Sequence, residues 1–189
     1  MREWYEVTNV EDIPSPALLV YPDKIQHNVE MMIKIAGSAD RLWPHVKTHK
    51  LPQVVQMQVD YGIRKFKCAT IAEAEMVAEI GAEKILMAYQ LVGPNIGRLI
   101  DLIEKFPAIE FSVLIDSETI AQRISAEAER RNVSITAFLD IDSGMHRTGI
   151  YPGGEAFEIF KSINKLPNLI PGGLHVYDGH IRDDDYVIR

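Results

Sequence analysis

The run Trp43-Pro44-His45-Val46-Lys47-Thr48-His49-Lys50 concentrates reactive side chains more densely than any other part of this chain. Its lysine reads as the last residue of a buried strand, with a histidine two positions away on each side. Lysines are seldom buried unless they are paired or do chemistry. A desolvated lysine near other cations becomes a nucleophilic amine of the kind that forms a Schiff base with a carbonyl. Lys47 is therefore the first candidate for catalysis, with His45 and His49 beside it for proton transfer. The plain alternative is a lysine that leads into a helix and keeps its ammonium in water.

Two further runs share this character. Asp140-Ile141-Asp142-Ser143-Gly144-Met145-His146-Arg147-Thr148-Gly149 sets an arginine in a glycine-bounded loop. Its fork of donors suits a phenolate, carboxylate or phosphate. The alternative is a loop arginine paired with Asp140 or Asp142. In His175-Val176-Tyr177-Asp178-Gly179-His180, the two-residue period puts His175 and Tyr177 on one strand face, able to hold an aromatic ring. Core packing with satisfied hydrogen bonds is the competing reading. Metal competes as well, because His175, Asp178, His180 and Asp183 to Asp185 form a His/carboxylate cluster, although the spacing fits no compact zinc pattern. A His45/His49 metal pair is disfavoured by the cation between them. Cys68, on a strand, reads as a small core residue.

These residues need a scaffold that brings distant segments together. Strand-like runs occur at 17–21, 42–47, 65–69, 84–88, 110–115, 135–141 and 172–177. Helical spacing fills the gaps. Ile25, Val29, Met32, Ile33 and Ala36 mark one helix. A Thr70–Glu73 capping box opens another, which Gly81 stops. Pro94 leads a third, with Ile96, Leu99, Ile100 and Ile103. Ser117 is placed to cap a fourth, and Gly153-Gly154 precedes a fifth that carries Phe157, Phe160 and Ile163. Strict alternation of strand and helix implies parallel strands with crossover helices.

An open doubly wound sheet and a (β/α)8 barrel both satisfy that pattern. The unusual side chains fall at the C-terminal ends of several strands: Lys47, Thr70, Tyr89, Gln90, Asp116, Asp140, His175 and Tyr177. A barrel builds its active site on that face, whereas an open sheet concentrates it at one switch point. No Gly-x-Gly-x-x-Gly turn follows a strand. The expectation is an α/β barrel of TIM type, (β/α)8, cut short after about six barrel strands in 189 residues.

Composition narrows the function. A net charge of −7 argues against nucleic acid as a partner. No apolar run reaches the roughly 18 residues of a membrane span. The acidic start Met1-Arg2-Glu3 does not read as a signal peptide, and the single cysteine forms no internal disulfide. A cytoplasmic protein is expected.

Pro44-His45-Val46-Lys47-Thr48-His49-Lys50 resembles the cofactor-lysine motif of the D-threonine aldolase and D-serine dehydratase group. That group belongs to the alanine racemase-like, fold-type III pyridoxal-phosphate (PLP) enzymes. The segments 68–75, 142–149 and 174–180 are similar to further motifs of the same family, in the same order. The resemblance implies that Lys47 attaches PLP covalently and that Arg147 approaches the phenolic oxygen. It sets Tyr177 near the pyridine ring, with His175 and Thr70 among the cofactor contacts. It implies residues 1–22 as a segment joining a C-terminal β domain that is absent here, and 23–189 as a partial barrel. The implied activity is cleavage of a β-hydroxy-D-amino acid to glycine and an aldehyde, and the implied assembly is a homodimer. A D-serine ammonia-lyase, a racemase or a non-catalytic PLP carrier are the alternatives. A divalent metal, manganese or zinc, is expected in the complete protein, with ligands outside this chain.

Overall fold

A computed structural model describes residues 3–183. Its framework is one five-stranded parallel sheet: β1 (Lys65–Cys68), β2 (Lys84–Met87), β3 (Glu110–Ile115), β4 (Ile135–Ile141) and β5 (Leu169–Val176). Spatial order follows chain order, β1 to β5, and every pairing is parallel. Helices α1 (Pro22–Ala36) and α2 (Pro52–Asp60) precede the sheet, and α3 (Ile71–Ile80), α4 (Asn95–Lys105), α5 (Glu118–Arg130) and α6 (Gly154–Ile163) cross over between strands.

The helical face of the sheet forms the core. Phe66, Cys68, Ile85, Met87, Phe111, Val113, Ile115, Ala137 and Leu139 are buried on it. They meet Val77, Leu99, Ile100, Ile124 and Ile163 from the helices. Each such aliphatic side chain stabilises the fold by about 1.5–3 kcal/mol. The opposite face carries Lys67, Leu86, Phe138 and His175, which line an open groove of about 370 Å³.

That second face is concave. Lys67 Nζ on β1 lies 3.1 Å from His175 Nε2 on β5. In a flat sheet strands four spacings apart stand roughly 19 Å from each other, and side chains on one face run parallel. The two residues meet only because the sheet curls with this face inside, as barrel closure requires.

Two expected strands are corrected. Segment 42–47 makes only an isolated parallel bridge, His45 to Lys67, with the Lys67 N–H donating to the Pro44 carbonyl at 2.9 Å. Pro44 has no N–H to continue a ladder, and the chain turns at once into a 3-10 helix, Val46–Thr48. The segment still lies beside β1, where a further barrel strand belongs. Residues 17–21 carry no strand among the described residues, and Leu18, Leu19 and Val20 are exposed.

Most helix signals are met. Thr70 Oγ1 accepts from the Glu73 N–H, and the Ala69 N–H donates to Glu73, so the capping box forms with its return bond one residue earlier. Ser117 stands at the N-cap of α5 without a side-chain cap bond. In α6, Ala156, Ile159 and Ile163 are buried, while Phe157 points out. Those three keep the helical period, and Phe157 lies off their stripe.

Candidate functional site

Lys47 sits on the 3-10 turn rather than at a strand end, and its side chain is exposed. Among the described residues its ammonium makes no ion pair or side-chain hydrogen bond. The expected burial is therefore corrected: Val46 is the buried residue of this turn, and alternation leaves Lys47 outward. His45 caps the turn, its Nδ1 accepting from the Lys47 N–H at 3.3 Å. Burial and the charge of Lys47 push His45 down to about 4. His49 faces elsewhere. Its Nδ1 accepts from the Leu51 N–H at 3.0 Å, and its ring lines a separate groove with residues of α1 and α2.

The low value of His45 has a consequence for stability. A histidine that is neutral in the fold and protonated in the unfolded chain makes stability rise with pH. The contribution is fully present above the ordinary histidine value, near 6.5, and is lost as pH falls toward 4. His49 is lowered by burial and acts in the same direction. Chemical denaturation between pH 7 and 4 should show this decline, with a shallower slope in His45→Gln. An equal slope in that variant would remove His45 from the account.

At the far end of the sheet, β4 and β5 meet in a polar network. Asp140, 3% exposed, receives Gln90 Nε2 at 2.9 Å on one oxygen and faces His175 Nδ1 at 2.6 Å on the other. Burial alone would raise Asp140, but these hydrogen bonds hold it below the usual carboxylate range. Across from it, burial raises Asp116, relieved in part by the Gly149 N–H and reinforced by the charge of Asp140. The line continues from His175 to Lys67. Burial lowers Lys67, the Asp140 carboxylate opposes this, and the charge of Lys47 adds to it.

The loop 142–149 is organised from within. Asp142 accepts the backbone N–H groups of His146 and Gly144 and faces the His146 ring, which brings it down to about 2. Asp142 is thereby occupied with the loop itself. Arg147 pairs with neither Asp140 nor Asp142 among the described residues; its guanidinium lies 5.2 Å from the centre of the Tyr177 ring. Ser143 Oγ donates to the Tyr177 carbonyl at 2.9 Å, tying the loop to the end of β5. A cationic fork with no carboxylate partner, stacked on an aromatic ring, is set to receive an anionic planar group.

Of the expected Arg147, His175 and Tyr177, the structure brings Arg147 against the Tyr177 ring, while His175 is turned toward Asp140 and Lys67. Thr70 is exposed and spends its hydroxyl on the cap of α3, beside a groove with Tyr89 and Gln90. The metal cluster does not assemble: no three His, Cys, Asp or Glu side chains converge among the described residues. His175 is turned to Asp140, and His180 lies close to Gly144. Asp184 and Asp185 lie outside the described residues. Cys68 is fully buried, with its thiol pushed up by burial, as a core residue should be. Lys67 was missed. In Lys65-Phe66-Lys67-Cys68 it reads as the polar half of an alternating strand, and only curvature reveals its partner 108 residues away.

If the family resemblance holds for the cofactor, Arg147→Ala is expected to weaken PLP binding about tenfold or more, by loss of one charge-assisted contact. The melting temperature should stay within a degree or two, since the side chain is exposed. Fluorescence titration with PLP checks the first expectation; an unchanged affinity would return Arg147 to the structural loop.

Comparison with known proteins gives a consistent picture. Residues 20–187 match the family model for the alanine racemase N-terminal domain. The chain is 25% identical over 171 residues to D-threo-3-hydroxyaspartate dehydratase of Delftia sp., covering 90% of this chain and 42% of that protein. It is 28% identical over 181 residues to 3-hydroxy-D-aspartate aldolase of Paracoccus denitrificans, covering 92% and 45%. The crystal structure of D-threonine aldolase from Filomicrobium marinum matches with a TM-score of 0.81 at 27% identity, over 89% of this chain and 45% of that one. The chain thus spans under half the length of these relatives.

Proposed function

Because this chain belongs to the alanine racemase N-terminal-domain family of fold-type III PLP enzymes, we propose that it is the cofactor-binding barrel of a lyase for β-hydroxy-D-amino acids. The observations that carry this reading are a Lys47 ammonium with no partner among the described residues and an Arg147 stacked on Tyr177. These are an amine and a cationic fork for the two reactive features of a pyridoxal ring, its aldehyde and its phenolate. The donor chemistry fits PLP.

When bound, PLP supplies an electron sink for charge developing at the substrate's Cα. Lys47 supplies the attaching amine. Arg147 holds the phenolic oxygen, and Tyr177 and His175 position the ring. Thr70 offers its hydroxyl hydrogen, since its lone pair is engaged by the Glu73 N–H. His45, neutral over the working pH range and capping the turn that carries Lys47, is the candidate for proton transfer. His49, turned toward the α1/α2 groove, is a weaker choice for that role.

The reaction proposed is cleavage of the Cα–Cβ bond of a D-threonine-like substrate to glycine and an aldehyde. Two of the matched proteins are named as aldolases and one as a dehydratase, so dehydration is the second reading. A homodimer, a cytoplasmic location, a divalent manganese or zinc ion and a β domain paired with residues 1–22 belong to the same proposal. The exposed Leu18, Leu19 and Val20 suit that pairing. The test is product analysis with D-threonine, using protein from the complete reading frame, with PLP and manganese. Glycine and acetaldehyde, lost on chelation, are the expected result. 2-Oxobutanoate with ammonia would assign the dehydratase, and no turnover by PLP-loaded protein would leave a carrier.

A further inference from the structure

Glu73 is a buried carboxylate that the proposed chemistry does not use. It lies on the first turn of α3 and is 4% exposed. One of its oxygens accepts the Ala69 N–H at 2.7 Å, and the other pairs with the Lys50 ammonium. Glutamates are almost never fully buried unless they are paired. Burial alone would raise Glu73, but Lys50 and the Ala69 N–H hold it below the usual carboxylate range. Glu73 also interacts electrostatically with His45 and His49, so one buried anion faces the basic side chains of the Lys47 turn.

Its partner sits at a costly point of the backbone. Lys50 ends the turn that carries Lys47, and its φ is +52°, in the left-handed region. A residue with a Cβ adopts that conformation at a cost that glycine does not bear. The Lys50 N–H donates to the Val46 carbonyl at 2.8 Å, enclosing Lys47, Thr48 and His49 in one turn. On the near side, the buried Val46 side chain and the Lys67 N–H on the Pro44 carbonyl fix this turn. On the far side, the Lys50–Glu73 pair fastens it to α3.

We propose that Glu73 is a positioning residue for PLP attachment: by pairing with Lys50 it holds the left-handed end of the turn and sets the backbone from which Lys47 reaches the cofactor. Attachment joins Nζ of Lys47 to the aldehyde carbon, and the aldehyde oxygen leaves as water with two hydrogens of the amine. The effect on attachment rests on the PLP reading, while the hold on the turn does not.

Three variants of the protein from the complete reading frame test this: Lys50→Met, Lys50→Gly and Glu73→Gln. The first readout is amide hydrogen exchange at residue 50 without cofactor, relative to its unstructured rate. Exchange should quicken about tenfold in Lys50→Met and Glu73→Gln and stay near the wild type in Lys50→Gly, where glycine takes the left-handed backbone unaided. The second readout is the rate of borohydride-trappable PLP attachment to Lys47. It should slow about tenfold in the first two variants and hold in the glycine variant. The melting temperature should fall in both lysine variants, because each leaves Glu73 buried without its cation. A pair that only stabilised the fold would make methionine and glycine alike in exchange and attachment, and that result would overturn the proposal. Glu73→Gln keeps an acceptor for the Ala69 N–H, so it decides the matter if Lys50→Met fails to fold. Faster exchange with unchanged attachment would overturn the positioning role. No adduct on wild-type Lys47 would reject the PLP reading and the positioning role with it, and exchange would still decide the hold on the turn.

Discussion

Lys47→Ala protein should fold normally and carry no borohydride-stable pyridoxyl group on its 3-10 turn. The fold survives because the replaced side chain is exposed and unpartnered among the described residues; such surface changes usually stay within about 0.5 kcal/mol. Attachment is lost because the reacting amine is gone. The structure adds a qualification. Lys67 is another amine, on β1 beside the segment that leads into the Lys47 turn, so residual trapping at that position is the outcome to look for. Its Nζ is engaged by His175 Nε2, which disfavours it as the attaching group. Absorbance after dialysis, followed by peptide mapping, checks the result. Full retention of covalent PLP in the variant would remove Lys47 from the centre of the account.

The second large effect is expected at Gly149. Its φ is +92°, in the left-handed region, and a Cβ there would stand 2.7 Å from the Asp142 nitrogen and 2.8 Å from the Ile141 carbonyl carbon. Both are backbone atoms and cannot step aside. The same residue donates its N–H to Asp116 at 3.2 Å, and the next residue closes the loop through paired bonds to Asp140 and Asp142. Gly149→Ala should therefore cost about 3 kcal/mol from strain and overpacking together. For a domain of this size that is roughly a 6–12 °C fall in melting temperature. It should also weaken PLP binding, because the loop carries Arg147. Gly154→Ala is the control: it is the first residue of α6 and nothing lies within 4 Å of an added Cβ, so it should not lower the melting temperature. Equal melting temperatures for the two variants would refute the close-approach argument.

Much of the scaffold was legible in the sequence because local signals and tertiary demands agree. Strands β1 to β5 and helices α1, α3, α4, α5 and α6 follow their periodicity and caps. Disagreement arises where a single residue outweighs the pattern. Pro44 prevents a ladder in a segment that is otherwise strand-like, so the run before Lys47 becomes a bridge and a turn. Residues 17–21 have strand composition but no partner among the described residues, and strand propensity is fulfilled only by pairing. In the site, Arg147, His175 and Tyr177 were readable from the family resemblance, with the two-residue period setting His175 and Tyr177 on one strand face. Lys67 was not, because its meaning depends on the curvature of the whole sheet. Neither was the turning away of His49, which follows from its ring accepting the Leu51 N–H at the start of α2.

The measurement that tests the central claim most directly is borohydride reduction of PLP-saturated wild-type protein followed by peptide mass mapping. The account predicts one pyridoxyl adduct, on Lys47. An adduct on Lys67 instead, or none on a folded and saturated protein, would contradict it.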